Sequence, residues 1–129
     1  MSDATSSSPR FRLPAARRLK LRREFDRVRK EGNTVRGGLL MLGVLPVEAE
    51  KSFRLGLITS RRVGGAVVRN RVRRRLREIV RRHQHALTSG VWFVVIARPG
   101  AAGATSAALE KEWLRLASRA GLVRSPLLS

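Results

Sequence analysis

RRVGGAVVRNRVRRRLREIVRR, residues 61–82, holds ten arginines and a single acid, Glu78. Through it and just beyond, Val68, Val72, Leu76, Ile79, Val80 and His83 recur at spacings of four, four, three, one and three, one stripe of an α-helix. The stripe predicts a helix with one face on a core, entered through Gly64 and Gly65 and ending near His85. The remaining arc then carries Arg69, Asn70, Arg71, Arg73, Arg74 and Arg77. Almost no acids stand at i, i+4 to pair with them, and like charges at that spacing destabilise a helix. A merely solvated face is therefore the poorer reading, and a phosphate backbone is the natural partner.

Strand chemistry flanks this helix on both sides. Before it, FRLGLITS alternates Phe53, Leu55, Leu57 and Thr59 against Arg54, Gly56, Ile58 and Ser60. After it and a TSG turn, VWFVVIA, Val91 to Ala97, is short and continuously apolar, as a central or parallel strand buried on both faces would be. Further upstream, TVRGGLLMLGVL, Thr34 to Leu45, reads as a strand bent near Gly37-Gly38 and long enough to split in two. PVEAEKS then makes a turn, so the strands around it are expected to pair as an antiparallel hairpin. Leu21, Phe25 and Val28 at i, i+4 and i+7, with Gly32 at the C-cap position, predict a helix over Arg22–Glu31. Near the end, Thr105 is placed to cap a helix striped by Leu109, Trp113, Leu116 and Ala120 and closed by Gly121. The order is α-β-β-α-β-α, an α/β fold. Residues 1–13 read as a disordered leader, 14–121 as one domain and 122–129 as a flexible tail.

Composition points the same way. The chain has 129 residues, a formal charge of +19 and a pI of about 12.0, enough for one small domain whose first partner to consider is nucleic acid. Arginine supplies 24 of the 28 bases, and guanidinium suits bidentate phosphate contacts and base stacking. Residues 10–30 and 61–82 carry ten bases each, and together they could frame one RNA-binding surface. The longest near-apolar run, Gly37 to Pro46, is ten residues, about half of what a bilayer needs. Attachment to an anionic membrane surface is disfavoured by the wide polar face and the lack of Trp or Phe in residues 61–82. The absence of cysteine removes disulfides and thiolate metal sites. MSDATSSSPRFR has no apolar core for a secretory signal and only a faint likeness to a transit peptide, so a cytoplasmic protein is expected.

A search for chemistry returns little. The acids Glu24 and Asp26, and Glu110 and Glu112, stand two apart on helices and point to different sides, so they read as solvated charge balance rather than a metal or acid-base pair. His83 and His85 lack the i, i+4 spacing of a shared metal, and His83 reads as a packing or capping residue. Gly64-Gly65 lies where a phosphate loop would, without its Gly-Lys-Ser/Thr ending. Phe53, Phe93 and Trp113 fit core positions, which leaves Phe25 as the ambiguous aromatic.

The run SRRVGGAVVRNRVRRRLRE resembles the signature of the bacterial ribonuclease P protein component, whose Arg-Asn-Arg core stands here as Arg69, Asn70 and Arg71. The likeness extends to LRREFDRVRKEG, RLGLITSRRVG and VVIARPGA in the family's order, over about residues 10–121. It implies an α/β sandwich with a mainly antiparallel four-stranded sheet, and a left-handed β-α-β crossover that contains the Arg-Asn-Arg helix. It also implies the accessory subunit of a ribonucleoprotein that removes the 5′ leader of precursor tRNA, with hydrolysis carried out by the RNA subunit and its Mg2+ ions. Neither a cofactor on this chain nor a further protein partner is implied. Carried over, Arg61, Arg62, Arg69, Asn70, Arg71, Arg73, Arg74 and Arg77 should contact ribonuclease P RNA, and Phe25, Met41 and Ile58 should line the leader cleft. Arg29 and Gly43 stand where some relatives carry Phe and Tyr, which shifts the expected leader contact from stacking toward charge. A ribosomal protein would share the charge but not the extended motif, and a free-standing nuclease would need an acid cluster that the sequence lacks.

Overall fold

The computed structural model describes residues 17–123. The leader expected over 1–13 lies outside the described residues. The elements are α1 (Arg22–Glu31), β1 (Asn33–Arg36), β2 (Leu40–Pro46), β3 (Phe53–Thr59), α2 (Ala66–His83), β4 (Val91–Ala97) and α3 (Ser106–Arg119), with 3-10 turns at Gln84–Ala86 and Pro99–Gly103. The expected long strand does split in two. Gly37 sits at the bend, where the Glu112 carboxylate accepts from Leu39 N at 2.6 Å and Leu40 N at 2.7 Å and leaves no room for a Cβ.

The four strands lie in the order β1-β2-β4-β3. β2 and β3 run antiparallel in direction but do not pair, which corrects the expected hairpin: β4 is inserted between them, antiparallel to β2 and parallel to β3. Each of β4's apolar faces thereby gains neighbours on both sides, as its composition demands. Residues 47–52 bridge the gap of two strand spacings, roughly 10 Å. They are stitched to the start of β4 through Val47 N to Gly90 O at 2.8 Å and Gly90 N to Ser52 O at 2.6 Å. The sheet is thus mixed rather than antiparallel throughout.

The hand of the β3-α2-β4 unit follows from one carbonyl. With β3 running upward and the Leu55 side chain toward a viewer on the α2 side, an L-residue sends its carbonyl to the right. That carbonyl accepts from Leu19 N at 2.8 Å on the outer edge of the sheet. β4 therefore lies to the left, and the chain reaches it by passing in front through α2. The crossover is left-handed, whereas about 98% of such units are right-handed.

Helices cover both faces. On one, Val72, Leu76, Ile79 and Val80 of α2 and Leu109, Trp113, Leu116 and Ala117 of α3 pack on Leu40, Leu42, Phe53, Leu55, Phe93 and Val95. Of the two stripes, Val68 is half-buried, Ala117 takes the inner place expected of Ala120, and His83 stacks on Trp113 with ring centroids 5.9 Å apart. Thr105 caps α3, its hydroxyl accepting from Ala108 N at 3.0 Å. Among the described residues α1 is the helix on the other face, where it buries Val28 against Val94, Leu45 and Val47. Leu122 and Val123, assigned to the tail on sequence, are buried, and Leu122 N donates to Ala117 O at 2.8 Å, so the packed domain runs past Gly121. No helix among the described residues is long and apolar enough to cross a membrane.

Several acids do more than balance charge. Besides Glu112, Glu50 accepts from Trp92 Nε1 at 3.0 Å, Glu110 meets His83 Nε2 at 2.6 Å, and Glu24 caps α1 by accepting from Lys20 N and Leu21 N, both at 2.9 Å. Burial works against the charge on Glu24, but those two amides, with Arg54 and Arg23, outweigh it and hold the carboxyl below its usual value.

Candidate RNA interface

α1 covers only part of its face of the sheet, and the uncovered part is where the sequence-predicted cleft residues gather. Strand register sets them in rows. Arg36, Met41, Ile96 and Ile58 lie side by side across β1, β2, β4 and β3, and the next row is Thr34, Gly43, Val94 and Gly56. The helix sits on the second row. Phe25 lies directly over Gly56, where a Cβ would stand 2.4 Å from its Cε1 atom, and Val28 faces Gly43. Beyond the Phe25 ring the β3 end of the first row, at Ile58, lines an opening.

The opening is a cleft of about 470 Å³. Its floor and outer wall are Leu57, Ile58 and Thr59, its helical wall is Arg22, Phe25, Asp26 and Arg29, and Lys20 and Arg73 close its ends. Four cations face one acid there, around one half-buried aromatic ring, the combination that single-stranded nucleic acid calls for. Phe25 and Ile58 thus meet as expected. Met41 shares their row but lies two strands away and outside the cleft wall. Sequence reasoning passed over Lys20 and Arg22. Arg22 was within reach, because Arg22 and Arg29 stand at i−3 and i+4 from Phe25 and so share its side of the helix.

The arginines of α2 do not form one exposed arc. Asn70 and Arg74 are exposed, whereas Arg69, Arg71, Arg73 and Arg77 are half-buried and lie on two flanks. The helix is seated deeply enough that the aliphatic stems beside its stripe reach neighbouring elements. On the flank toward α3, Arg71 donates to Ala102 O at 3.3 Å and Arg75 to Ala104 O at 3.0 Å. On the flank toward the cleft, Arg73 donates to Thr59 Oγ1 at 2.7 Å and to Asn70 Oδ1 at 3.0 Å. Arg61 and Arg62 are exposed in the turn after β3, on the same end of the sheet as Thr59. Cleft and helix therefore form one continuous basic surface around the outer edge of β3.

A second, smaller cavity of about 150 Å³ adjoins the first behind Phe25, lined by Arg18, Leu19, Phe25, Leu55, Leu57, Arg73 and Arg77. Burial, with Arg18 and Arg73 beside it, holds the Arg77 guanidinium below its usual value. It remains a cation at neutral pH. Among the described residues no group of three or more His, Asp or Glu side chains could hold a metal ion.

A family model described as Ribonuclease P matches residues 13–121 of the chain. The ribonuclease P protein component of Roseiflexus castenholzii is 43% identical over 113 residues, 87% of this chain and 92% of the relative. That of Beutenbergia cavernae is 41% identical over 100 residues, 78% of this chain and 84% of the relative. Among solved structures, a Staphylococcus aureus RNase P protein superposes with a TM-score of 0.79 at 26% identity, over 84% of this chain and 98% of that one. The Thermotoga maritima RNase P protein gives 0.72 at 29% identity, over 79% and 96%.

Proposed function

Since this chain belongs to the ribonuclease P protein family, we propose that it binds the catalytic RNA of ribonuclease P and the 5′ leader of precursor tRNA, and so assists endonucleolytic removal of that leader. The observation that carries this reading is the continuity of the basic surface. A cleft suited to an unpaired strand, with Phe25 for stacking and Lys20, Arg22 and Arg29 for phosphates, opens onto the arginine helix without an intervening acidic patch.

The division of labour follows from exposure. Asn70 and Arg74 face outward from α2, and with Arg61, Arg62 and the Arg69 head they offer a convex cationic ridge to the phosphates of a folded RNA. Arg71, tied to Ala102 O, both anchors the 99–103 turn and adds to the field of that ridge. Phe25 and Ile58 hold the leader, with Met41 extending the apolar row beneath it. Arg29, where some relatives carry Phe, turns part of the leader contact from stacking to charge. Hydrolysis in this scheme belongs to the RNA subunit, whose Mg2+ ions the phosphates of that subunit would hold. The protein supplies orientation and counter-charge in a one-to-one particle at work in the cytoplasm.

Reconstitution tests the proposal. The purified protein is added to a ribonuclease P RNA at low Mg2+ with precursor tRNA, and cleavage at the mature 5′ end is followed. Stimulation that grows with leader length over the first few nucleotides is the expected result. No stimulation, together with equal affinity for unrelated structured RNAs, would sink it.

A further inference from the structure

Among the described residues Asp26 is the one acid in the wall of the cleft, set with Lys20, Arg22, Arg29 and Arg73 around Phe25. Its carboxylate is half-buried and makes neither an ion pair nor a hydrogen bond among the described residues. Every other described acid except Glu48 has such a partner, and Glu48 is exposed in the turn before β3. Arg22 and Lys30 stand at i−4 and i+4 from Asp26 and Arg29 at i+3, the spacings at which helix ion pairs form, yet none of them pairs with it. A half-buried carboxylate with no donor against it is unfavourable. In a cleft suited to phosphates it also subtracts from the attraction for the strand. Only a donor carried by the strand itself offsets both effects, and the bases of an unpaired strand present such donors on their open edges.

We infer that Asp26 reads the base that stacks on Phe25: its carboxylate accepts from an exocyclic amine, so the cleft favours an amine-bearing base over uracil. An ionised carboxylate only accepts hydrogen bonds. The N4 amine of cytosine donates to it, whereas O4 at the same position of uracil is an acceptor and meets it with repulsion. The two pyrimidines offer Phe25 rings of equal size, so their edges decide between them. Asp26 follows Phe25 on α1 and opens into the same cleft, which places the acceptor beside the stacking ring. The surrounding cations are then left to the phosphates. Asp26 is in this reading a specificity residue: it lowers the affinity for strands in general and raises the selectivity among them.

The identification of the strand as a precursor leader rests on the function proposed above, but the base contact can be tested with the protein alone. Binding of short fluorescent oligocytidylate and oligouridylate is measured at neutral pH for the full chain, for Asp26→Ala and Asp26→Asn, and for Glu48→Ala, which removes the same charge outside the cleft. The parent should favour oligocytidylate by about five- to tenfold. Asp26→Ala should bring that ratio close to one, chiefly by tightening oligouridylate. Asp26→Asn should do the same, because its amide donates to O4 as readily as it accepts from N4. Glu48→Ala should leave the ratio as it was, and thermal melts should show all three variants folded. In the holoenzyme, precursors whose leaders differ only in cytosine or uracil across the cleft should show the same preference and the same loss of it. Equal affinity of the parent for the two oligonucleotides would overturn the inference. So would a ratio that survives Asp26→Ala while both affinities rise together, since Asp26 would then act as charge alone. A preference for RNA over DNA oligonucleotides that is equal for both bases and disappears in Asp26→Ala would assign the carboxylate to the ribose 2′-hydroxyl instead. A protein that distinguishes the oligonucleotides through Asp26 but never stimulates precursor cleavage would keep the base contact and refute the proposed function.

Discussion

Gly56→Ala tests the contact on which the whole cleft is built. Gly56 lies in β3 beneath Phe25, and a Cβ there would stand 2.4 Å from Cε1, 2.9 Å from Cζ and 3.0 Å from Cδ1 of the ring. All three are well inside ordinary contact, so the half-buried ring must swing toward the cleft or α1 must lift from the sheet. Overpacking of this kind costs about 1–3 kcal/mol, while removing a glycine from a strand interior returns about 0.5–1 kcal/mol. The net expectation is a loss of about 1–2 kcal/mol, seen as a fall of roughly 5 °C in Tm for a domain of this size. The same substitution in a Phe25→Ala background meets no ring and should be neutral or slightly stabilising. The double-mutant cycle should therefore report a coupling of about 2 kcal/mol between two residues 31 apart in sequence. Because the displaced ring narrows the cleft, Gly56→Ala should also blunt the dependence of precursor binding on leader length. A Gly56→Ala protein as stable as its parent in both backgrounds would mean that the ring does not rest on that glycine, and the account of the cleft would fail with it.

Other perturbations separate the remaining parts of the argument. Glu112→Ala leaves the Leu39 and Leu40 amides without their charged acceptor, and should cost about 2–3 kcal/mol in urea unfolding with faster hydrogen exchange at the β1–β2 bend; protection at Leu40 unchanged from the parent would show the amides satisfied elsewhere. Glu24 is held below its usual value of 4.5, so the unfolded chain binds the extra proton first and stability from this group is present above that pH and lost as pH falls below it. Glu24→Gln should accordingly flatten the acid limb of the stability curve between about pH 5 and pH 3, and parallel limbs would contradict the capping role. Arg29→Phe, which restores the aromatic of some relatives, should make leader binding less salt-dependent by about 0.7 in slope, while an unchanged slope would place Arg29 off the strand's path.

Local signals in the sequence were strong wherever one element decides its own structure. Leu21, Phe25 and Val28, with Gly32, gave α1 its observed bounds, Arg22–Glu31. Gly32 itself adopts an extended rather than a left-handed conformation. It is glycine because a Cβ would meet the carbonyl oxygens of Val28 and Val44 at 2.5 Å, a tertiary reason that no capping rule contains. Thr105 capped α3, and the unbroken apolar run of Val91–Ala97 became the central strand, parallel to one neighbour. Strand adjacency was beyond the local pattern. A seven-residue turn between two strands looks like a hairpin whether or not a third strand, forty residues on, inserts between them. Only the need of β4 for partners on both sides decides it.

The candidate site was legible in charge and illegible in direction. A helical wheel assigns each α2 arginine an angle, but it does not say how deep the helix sits or what stands beside it. Seated on its aliphatic stripe, α2 turns Arg71 and Arg75 to the carbonyls of the 102–104 segment and Arg73 and Arg77 to the edge of β3, and only the outer residues keep the role that a uniform basic face would give them all. What separates these groups functionally is the placement of the nine acids. Glu24 and Glu50 pair with Arg54 of β3, Glu78 and Glu110 with Arg81 and Arg82 in the last turn of α2, and Glu112 with Arg115 of α3, while Asp26 is the single acid on the cleft among the described residues. The potential that an RNA strand meets is set by where those acids are sparse, and among the described residues the band from Lys20 past Phe25 to Arg77 carries Asp26 alone. For a chain this basic, the pattern of its few carboxylates is therefore a sharper guide to the path of bound RNA than the pattern of its many arginines.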